Sequence, residues 1–210
     1  MRIIRPESFA AVPWKNGGGI THEVIRVPAD GEPSGTPFGT PFRWRVSVAT
    51  IDASGPFSNF ADYQRILVLL HGAGVRLSFD GRQPATLRAI GDSVEFDGAL
   101  AAQCELIDGP CTDLNLMVSK SMASFHACVE PVAGPRRLSS PQAISLLFAI
   151  RGDLVVDAGD GAPSRLHAGD CAVLSPHDRA TIDAAPLEPE SPLVFFATLI
   201  DHPPASDSAR

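Results

Sequence analysis

Apolar and polar residues alternate one for one in several short stretches of this chain. Within residues 42–48, Trp44 and Val46 are apolar, and Arg45 and Ser47 alternate with them. Successive side chains of an extended strand point to opposite faces, so this pattern predicts a strand with one apolar and one polar face. Similar stretches, separated by Gly, Pro, Asp and Ser, occur at residues 20–27, 65–70, 75–79, 114–118 and 193–200. Many short strands joined by frequent turns predict an all-β sandwich or barrel.

The glycine and proline content supports this fold class. The 210 residues include 18 glycines and 19 prolines, and their combined share exceeds the ordinary value of about 12%. Both residue types disfavour helix interiors and favour turns, so the composition argues against an all-α fold.

A loose internal repeat relates two parts of the sequence. One predicted strand ends at Gly72 and a Gly-Asp pair begins 19 residues later at Gly91, whereas a second strand ends at Gly152 and Gly-Asp begins 17 residues later at Gly169. This order is similar to that of the cupin jelly roll, in which Gly-Asp makes a tight turn into the next strand. Two copies predict a bicupin of two jelly-roll β-barrel units, although any β protein can offer such glycines by chance. The predicted units are residues 1–120 and 121–201, followed by a disordered tail at 202–210.

The charge balance and the apolar runs bear on partners and location. Lys and Arg number 17 and Asp and Glu number 24, which gives a formal net charge of −7. An acidic chain without a Lys/Arg cluster lacks the positive surface that binds a phosphate backbone, so no nucleic-acid partner is expected. No apolar run approaches the roughly 20 residues that cross a bilayer, and residues 1–7 contain no apolar signal core. We therefore expect a cytoplasmic protein without a membrane partner.

Neither histidine nor cysteine has the spacing of a metal site. The six histidines are isolated from one another, and the positions after His71 and Gly152 where a cupin would place ligands are apolar. Since imidazole and carboxylate groups hold first-row metals in such folds, we predict no metal and no other cofactor. The cysteines, which are scattered and predicted to be reduced and mostly buried, are Cys104, Cys111, Cys128 and Cys171.

The densest group of polar residues and glycines lies near the N-terminus, at residues 14–23. Gly17 and Gly18 begin a run of three glycines directly after Lys15 and Asn16. Such a run suits a backbone that turns with positive φ or approaches a ligand closely. The backbone N–H groups, with the Lys15 charge and the Asn16 amide, form a candidate anion site, and a plain loop is the alternative. The segment lacks the glycine spacing of nucleotide-binding loops.

Thr21 and Glu23 share one face of the strand that follows, by alternation. Glu23 and Lys15 then form either an acid–base pair inside a barrel mouth or a salt bridge at its rim. The residues alone leave both interpretations open.

Polar side chains also share one face of three later predicted strands. Arg45 and Ser47 share a face, Arg65 opens a second strand, and Asp113 and Asn115 alternate with leucines on a third. An arginine inside a barrel needs a counter-charge because its desolvation is costly, and a ligand carboxylate is a natural bidentate partner. An acidic side chain of the protein itself is the alternative.

Four segments of the chain together are similar to the HutD/Ves family. They are Trp14–Gly19 with Thr21 and Glu23, Trp44–Ser47 with Ala49, Gly55–Ser58 with Phe60 and Arg65, and Asp113–Met117. The resemblance implies a bicupin fold and an association with histidine-degradation enzymes. It also implies a regulator that binds an intermediate such as urocanate or N-formylglutamate. Carried over to this sequence, the implied pocket comprises Trp14, Lys15, Asn16, Thr21, Glu23, Arg45, Ser47, Arg65 and Asn115.

Three classes of function are compatible with these residues. The leading hypothesis is a metal-free binding protein that senses a small carboxylate metabolite. Lys15 and the glycine amides, or Arg45, hold the anionic group, and Trp14 or Phe57 flanks it. The second is an enzyme in which Glu23 and Lys15 act as base and acid on such a metabolite. The third is a structural or interaction protein, packed as a homodimer, whose polar faces around Arg45 and Asn115 pair internally and leave no cavity.

Overall fold

The computed structural model describes residues 1–14, 19–29, 41–139, 142–159, 161–185 and 191–202. These residues form nineteen strands and one short 3-10 helix, Pro6–Ser8, so the predicted all-β class is confirmed. None of the described helices is long and apolar enough to cross a membrane. The strands are β1 Arg2–Ile4, β2 Ala10–Pro13, β3 Gly19–Pro28, β4 Phe42–Ile51, β5 Gly55–Pro56, β6 Tyr63–His71, β7 Val75–Phe79, β8 Arg82–Leu87, β9 Ser93–Asp97, β10 Ala102–Leu106, β11 Cys111–Ser119, β12 Ala123–Pro131, β13 Arg136–Ser139, β14 Ile144–Arg151, β15 Leu154–Asp157, β16 Ser164–Leu166, β17 Cys171–Leu174, β18 Arg179–Ala184 and β19 Leu193–Asp201.

The described strands form four antiparallel sheets. A six-stranded sheet has the order β2-β3-β4-β11-β6-β9, and the first four-stranded sheet has the order β5-β10-β7-β8. A five-stranded sheet has the order β1-β17-β14-β19-β12, and the second four-stranded sheet has the order β13-β18-β15-β16. Each sheet ends in two edge strands, so within the described residues no sheet closes on itself as a barrel. The prediction of closed barrels is therefore corrected to open sheets that pack face to face.

Three apolar clusters hold the sheets together as stacked layers. On β6, Leu67 and Leu69 belong to the cluster between the six-stranded and first four-stranded sheets. Ile66 and Val68 point the other way, into the cluster shared with the five-stranded sheet. A third cluster joins the five-stranded sheet to the second four-stranded sheet. The two larger sheets are therefore covered on both faces, which is why β6 is apolar at consecutive positions.

The first strand pairs with a strand that is distant in sequence. β1 pairs with β17, with Arg2 opposite Val173 and Ile4 opposite Cys171. Just after β1, the Arg5 guanidinium forms an ion pair with the buried carboxylate of Asp170. Residues 2–4 therefore belong to the same sheet as strands β12, β14, β17 and β19.

The two Gly-Asp turns of the sequence repeat have the same backbone structure. Gly91 and Gly169 both have a φ of +93°, in the left-handed region that favours glycine. The Gly91 N–H donates to the Leu69 carbonyl and the Gly169 N–H donates to the Ala149 carbonyl, both at 2.8 Å. The N–H groups of Leu69 and Ala149 in turn donate to the carbonyl of the aspartate that follows each glycine. The two segments are therefore equivalent in hydrogen bonding as well as in sequence order.

The cysteines are free thiols in largely apolar surroundings. Cys104, Cys111 and Cys171 are buried, and Cys128 is half-buried. Burial raises the pKa of the Cys104 and Cys171 thiols to about 12 and that of Cys111 to about 11. These three side chains are therefore protonated at neutral pH.

Candidate functional site

A cavity of about 420 Å³ lies on the face of the six-stranded sheet that is turned toward the first four-stranded sheet. Its floor is formed by alternate residues of β3, β4, β11 and β6, and its roof by residues 56–60, where β5 runs into the following loop. Because strand residues alternate between faces, the same strands send their other side chains into the apolar cluster behind the sheet. One face of each strand is thus free to carry polar groups.

Strand register aligns the polar side chains of the floor in rows. Arg45, Met117 and Arg65 lie directly opposite one another on the neighbouring strands β4, β11 and β6. The next row toward the other end of the cavity contains Ser47 opposite Asn115. All five side chains line the cavity. The row that follows places Ala49 opposite Asp113.

Both arginines of the first row are buried. Arg45 is 7% exposed and Arg65 is 4% exposed. Arg45 Nη2 contacts Met117 Sδ at 3.4 Å, and Arg65 Nη1 donates to the Ser58 carbonyl at 3.3 Å. The Nε atoms of both guanidinium groups make no hydrogen bond within the described structure. No ion pair within 4.0 Å joins either arginine to a carboxylate of the described residues.

Aromatic rings take the place of counter-charges around these guanidinium groups. Arg65 Cζ lies 4.9 Å from the centre of the Phe96 ring and 5.5 Å from that of Phe60. Arg45 Cζ lies 5.0 Å from the Phe42 ring centre and 5.6 Å from that of Phe60. Ring faces attract a cation but carry no formal charge, so the positive charge of the pair is not neutralised by these contacts.

The arginines keep their charge at neutral pH despite their burial. Desolvation lowers the pKa of Arg65 to about 10, against the raising effect of Asp113. Desolvation also lowers the pKa of Arg45, and nearby Glu23 partly opposes this shift. A guanidinium group stays protonated at neutral pH in proteins, so the two arginines place two positive charges at one end of the cavity.

Asp113 is the acidic group of the cavity floor and was not among the residues predicted for the site. It is 2% exposed, and burial raises its pKa to about 7 while the Arg65 charge lowers it. Its Oδ1 atom makes no hydrogen bond within the described structure. The sequence pattern that identifies Asp113 is the alternation of side chains along β11, which places Asp113 and Met117 on the same face as Asn115.

Trp14 and Thr21 form one wall of the cavity. The Trp14 indole Nε1–H donates to Thr21 Oγ1 at 2.7 Å. The Trp14 ring meets the Phe57 ring edge to face, with the centroids 6.3 Å apart. Phe57, which was predicted as one of two aromatic residues that could flank the ligand, lines the cavity together with Ser58 and Phe60 of the same loop. Ser58 and Phe60 were not predicted as site residues, because an aromatic residue in such a loop more often packs against a core.

The structure brings together six of the predicted site residues, namely Trp14, Thr21, Arg45, Ser47, Arg65 and Asn115. Glu23 is not among the lining residues; it is half-buried, lies opposite Ser47 on β3 and precedes a bulge in the β3–β4 pairing. Lys15, Asn16, Gly17 and Gly18 lie outside the described residues. The predicted pair of Lys15 and Glu23 therefore stays a prediction, as does the disorder of the tail, since residues 203–210 also lie outside the described ranges.

The described residues contain no group of three or more His, Cys, Asp or Glu side chains that could hold a metal ion. A second depression, of about 490 Å³, lies on the outer face of the first four-stranded sheet. Its charged lining residues Arg76, Arg88 and Glu105 are all exposed. Exposed charges are well solvated, so the cavity with the buried arginines is the stronger candidate site.

The buried Asp113 carboxyl predicts an unusual dependence of stability on pH. Between about pH 4 and 7 the folded protein holds a proton that the unfolded chain has released, so the free energy of unfolding falls as the pH rises and levels off above 7. From pH 5 to pH 8, the free energy of unfolding of the wild type is expected to fall by about 1–3 kcal/mol more than that of Asp113→Asn.

Urea denaturation of both proteins at pH 5 and pH 8 measures this difference. Ser47→Ala, which alters the same cavity without removing a titratable group, should retain the wild-type dependence. Equal pH dependence in the wild type and Asp113→Asn would contradict the raised pKa.

One protein family matches the chain over most of its length. The family model HutD matches residues 6–188, a span that includes every described residue of the cavity. The chain belongs to the HutD family. It is 35% identical over 178 residues to an uncharacterized 21.2 kDa protein in the hutC 3′ region of Pseudomonas putida, covering 85% of this chain and 88% of that one. It is also 30% identical over 105 residues to protein Ves of Escherichia fergusonii, covering 50% of each chain.

Solved structures of three other proteins share this architecture. A conserved protein of unknown function from Pseudomonas aeruginosa PAO1 has a TM-score of 0.81 at 30% identity, covering 95% of this chain and 98% of that one. HutD from Pseudomonas fluorescens SBW25 has a TM-score of 0.76 at 29% identity, covering 96% of this chain and 99% of that one. Oxalate decarboxylase from Lactobacillus farciminis, at 10% identity and a TM-score of 0.63, covers 96% of this chain and 86% of that one and shows that the fold is cupin-like.

Proposed function

We propose that this HutD-family protein binds a small carboxylate in the arginine-lined cavity without a metal. We propose further that it acts as a regulator of histidine utilisation, sensing an intermediate such as urocanate or N-formylglutamate. A cavity of about 420 Å³ lies within the range of about 300–1,000 Å³ that small-molecule sites occupy.

The observation that carries this proposal is the pair of buried arginines that, among the described residues, have no carboxylate within ion-pair distance. Transferring an ionised group from water into a protein interior costs several kcal/mol unless an opposite charge or hydrogen bonds compensate. At contact distance, Arg45 and Arg65 have aromatic rings, a thioether and one carbonyl as their described neighbours. Glu23 and Asp113 act on the two arginines electrostatically but form no ion pair with them within 4.0 Å. A ligand carboxylate supplies both the missing charge and bidentate acceptors for guanidinium N–H groups.

The histidine-utilisation part of the proposal rests on the family. The relative from Pseudomonas putida lies in the hutC 3′ region, and the solved neighbour from Pseudomonas fluorescens is itself HutD. A metabolite of histidine utilisation that carries a carboxylate has the negative charge that the arginine pair would bind.

The geometry favours binding over the two other classes of function. An acid–base enzyme built on Glu23 needs that carboxylate against the substrate, whereas Glu23 is not among the residues that line the cavity. A purely structural protein needs the polar face to be paired internally. Four buried polar atoms of the cavity, on Arg45, Arg65, Asp113 and Asn115, have no hydrogen-bond partner in the described structure.

A thermal-shift titration tests the proposal with urocanate, N-formylglutamate and histidine. A ligand at 100 times its Kd stabilises a protein by about 2.7 kcal/mol, which corresponds to a rise in Tm of about 5–10 °C for a domain of this size. At least one of the three compounds should give this shift with the wild type, and Arg45→Met should lose it.

Arg88→Met is the matched control, because Arg88 is exposed and lies outside the cavity. It should keep the full shift. No shift of the wild type with any of the three compounds would overturn the proposal.

We also propose that the chain is a bicupin, in the sense of two copies of one unit with open sheets. The six-stranded and first four-stranded sheets use strands β2 to β11, and the other two sheets use β12 to β19 together with β1. The matching Gly-Asp turns at Gly91 and Gly169 support this interpretation. The unit boundary then lies between β11 and β12, with β1 added to the second unit.

A further inference from the structure

Two buried hydrogen-bond acceptors of the cavity have no donor. Asp113 is 2% exposed and Asn115 is 6% exposed, and Oδ1 of each makes no hydrogen bond in the described part of the chain. A buried acceptor without a donor costs about 1–3 kcal/mol. The arginines do not relieve this cost, because their hydrogen bonds go to Met117 Sδ and to the Ser58 carbonyl.

The strand register separates these acceptors from the arginines. Arg45 and Arg65 lie opposite Met117, whereas Asn115 is two residues along β11 and Asp113 two residues further. Two residues of an extended strand span about 7 Å. The cavity therefore has a cationic end and, along the sheet, an acceptor wall formed by Asn115 and Asp113.

We propose that the ligand of this cavity is bifunctional, with a carboxylate at the arginines and an N–H or O–H donor on its far side that reaches Asn115, or Asp113 one row beyond it. This inference rests on the proposed function, since it requires that the cavity binds a carboxylate. The ligand class is a small acid that carries an amide N–H, a ring N–H or a hydroxyl about 7 Å from the arginine row for Asn115, or about 14 Å for Asp113.

Asn115 and Asp113 are then specificity-determining residues. A carboxylate that has the shape of this ligand but lacks the N–H or O–H donor fills the cationic end of the cavity. It leaves the two acceptors buried and without a hydrogen bond. Sites built to accept a hydrogen bond from their ligand reject analogues that lack the donor, because the cost of the unpaired group remains in the complex.

Urocanate and 3-(2-furyl)acrylate are a matched pair of probes. Both are acrylic acids with a five-membered aromatic ring, and of the two rings only that of urocanate carries an N–H. Isothermal titration calorimetry with the full chain at pH 8, where Asp113 is mostly ionised and accepts hydrogen bonds, should give urocanate a Kd about 10- to 100-fold lower than that of the furan acid.

Asn115→Leu locates the effect, because leucine has a similar volume and no acceptor. Affinity for urocanate should fall about 10-fold, while affinity for the furan acid stays unchanged. The protein change and the ligand change together form a double-mutant cycle, which isolates the hydrogen bond between Asn115 and the ring N–H. Gln103→Leu is the control, since Gln103 is exposed on β10 and does not line the cavity. If the leucine variant does not unfold cooperatively, Asn115→Ala makes the same comparison with a smaller side chain that also lacks the acceptor.

The outcomes separate this inference from the proposed function. Equal affinity of the wild type for the two acids would overturn the inference and leave carboxylate binding intact. A variant that weakens both acids equally would also overturn the inference alone. If neither acid binds and N-formylglutamate and histidine also fail to bind, carboxylate binding is overturned and, with it, the bifunctional ligand.

Discussion

Arg65→Met is expected to weaken binding of the carboxylate ligand on the order of 100-fold, because removing one partner of a buried charge pair costs about 2–5 kcal/mol. The same change should leave the unliganded protein as stable as the wild type or more stable. Arg65 is 4% exposed and has no described carboxylate partner within ion-pair distance, and replacing a buried charge by an apolar side chain of similar length is often neutral or stabilising by about 1–4 kcal/mol.

Two measurements check this prediction separately. Calorimetric titration of the compound that shifts the wild-type Tm gives the affinity, and urea denaturation without ligand gives the free energy of unfolding. The denaturation is best done at pH 6, where the neighbouring Asp113, with a pKa raised to about 7, is mostly protonated and loses little when the cation is removed.

Arg82→Met is the matched control for this experiment. Arg82 Cζ also lies over a phenylalanine ring, 5.4 Å from the centre of Phe79, but Arg82 is exposed and outside the cavity. It should bind the ligand like the wild type. A loss of stability of about 2 kcal/mol or more in unliganded Arg65→Met would contradict the prediction and make the guanidinium a structural group.

Phe148→Ala is expected to lower the free energy of unfolding by about 3–5 kcal/mol, as buried phenylalanine truncations do. Phe148 is 2% exposed and lies in the cluster between the five-stranded and six-stranded sheets. This cluster includes side chains of both sheets. The truncation of Phe148 should therefore destabilise both sheets together, and the described structure should still unfold in one transition.

Urea denaturation followed by tryptophan fluorescence and by far-ultraviolet circular dichroism measures this effect. Trp44 reports on the six-stranded side of the same cluster. In Phe148→Ala, the fluorescence and dichroism signals should change at the same urea concentration, which is lower than the midpoint of the wild type. Ile200→Ala, at a side chain that is 46% exposed, should change stability by less than about 0.5 kcal/mol. Separate transitions for fluorescence and dichroism would show that the two halves unfold independently.

The alternation of residues predicted much of the fold and the polar face of the cavity. The stretch at 42–48 lies within β4, with Trp44 in the apolar cluster and Arg45 and Ser47 in the cavity. Period-two alternation is a local property of an extended strand, so it can be read without knowing the partners of that strand. The same rule, applied fully to β11, identifies Asp113 and Met117 as cavity residues.

Alternation also predicted the face of Glu23 correctly, because Glu23 lies opposite Ser47 on the same face as Thr21, before the β3–β4 pairing shifts between Glu23 and Ile25. Alternation could not predict the outline of the cavity, whose lining residues do not include Glu23. That outline depends on where residues 56–60 cover the sheet, and these residues are distant from β3 in sequence. The anion site at residues 15–18 remains a prediction, since those residues lie outside the described ranges.

The sequence by itself determined the all-β class, the family and the two faces of the main strands, because each depends on local residue order. Only the tertiary structure decided that the sheets are open layers and that β1 joins a sheet formed mainly by the second half of the chain. It also decided that Arg45 and Arg65 are buried with no carboxylate of the described residues within ion-pair distance. These facts depend on which distant strands pair and pack. The two arginines without an ion pair are therefore a property of the folded cavity, which no single stretch of sequence contains.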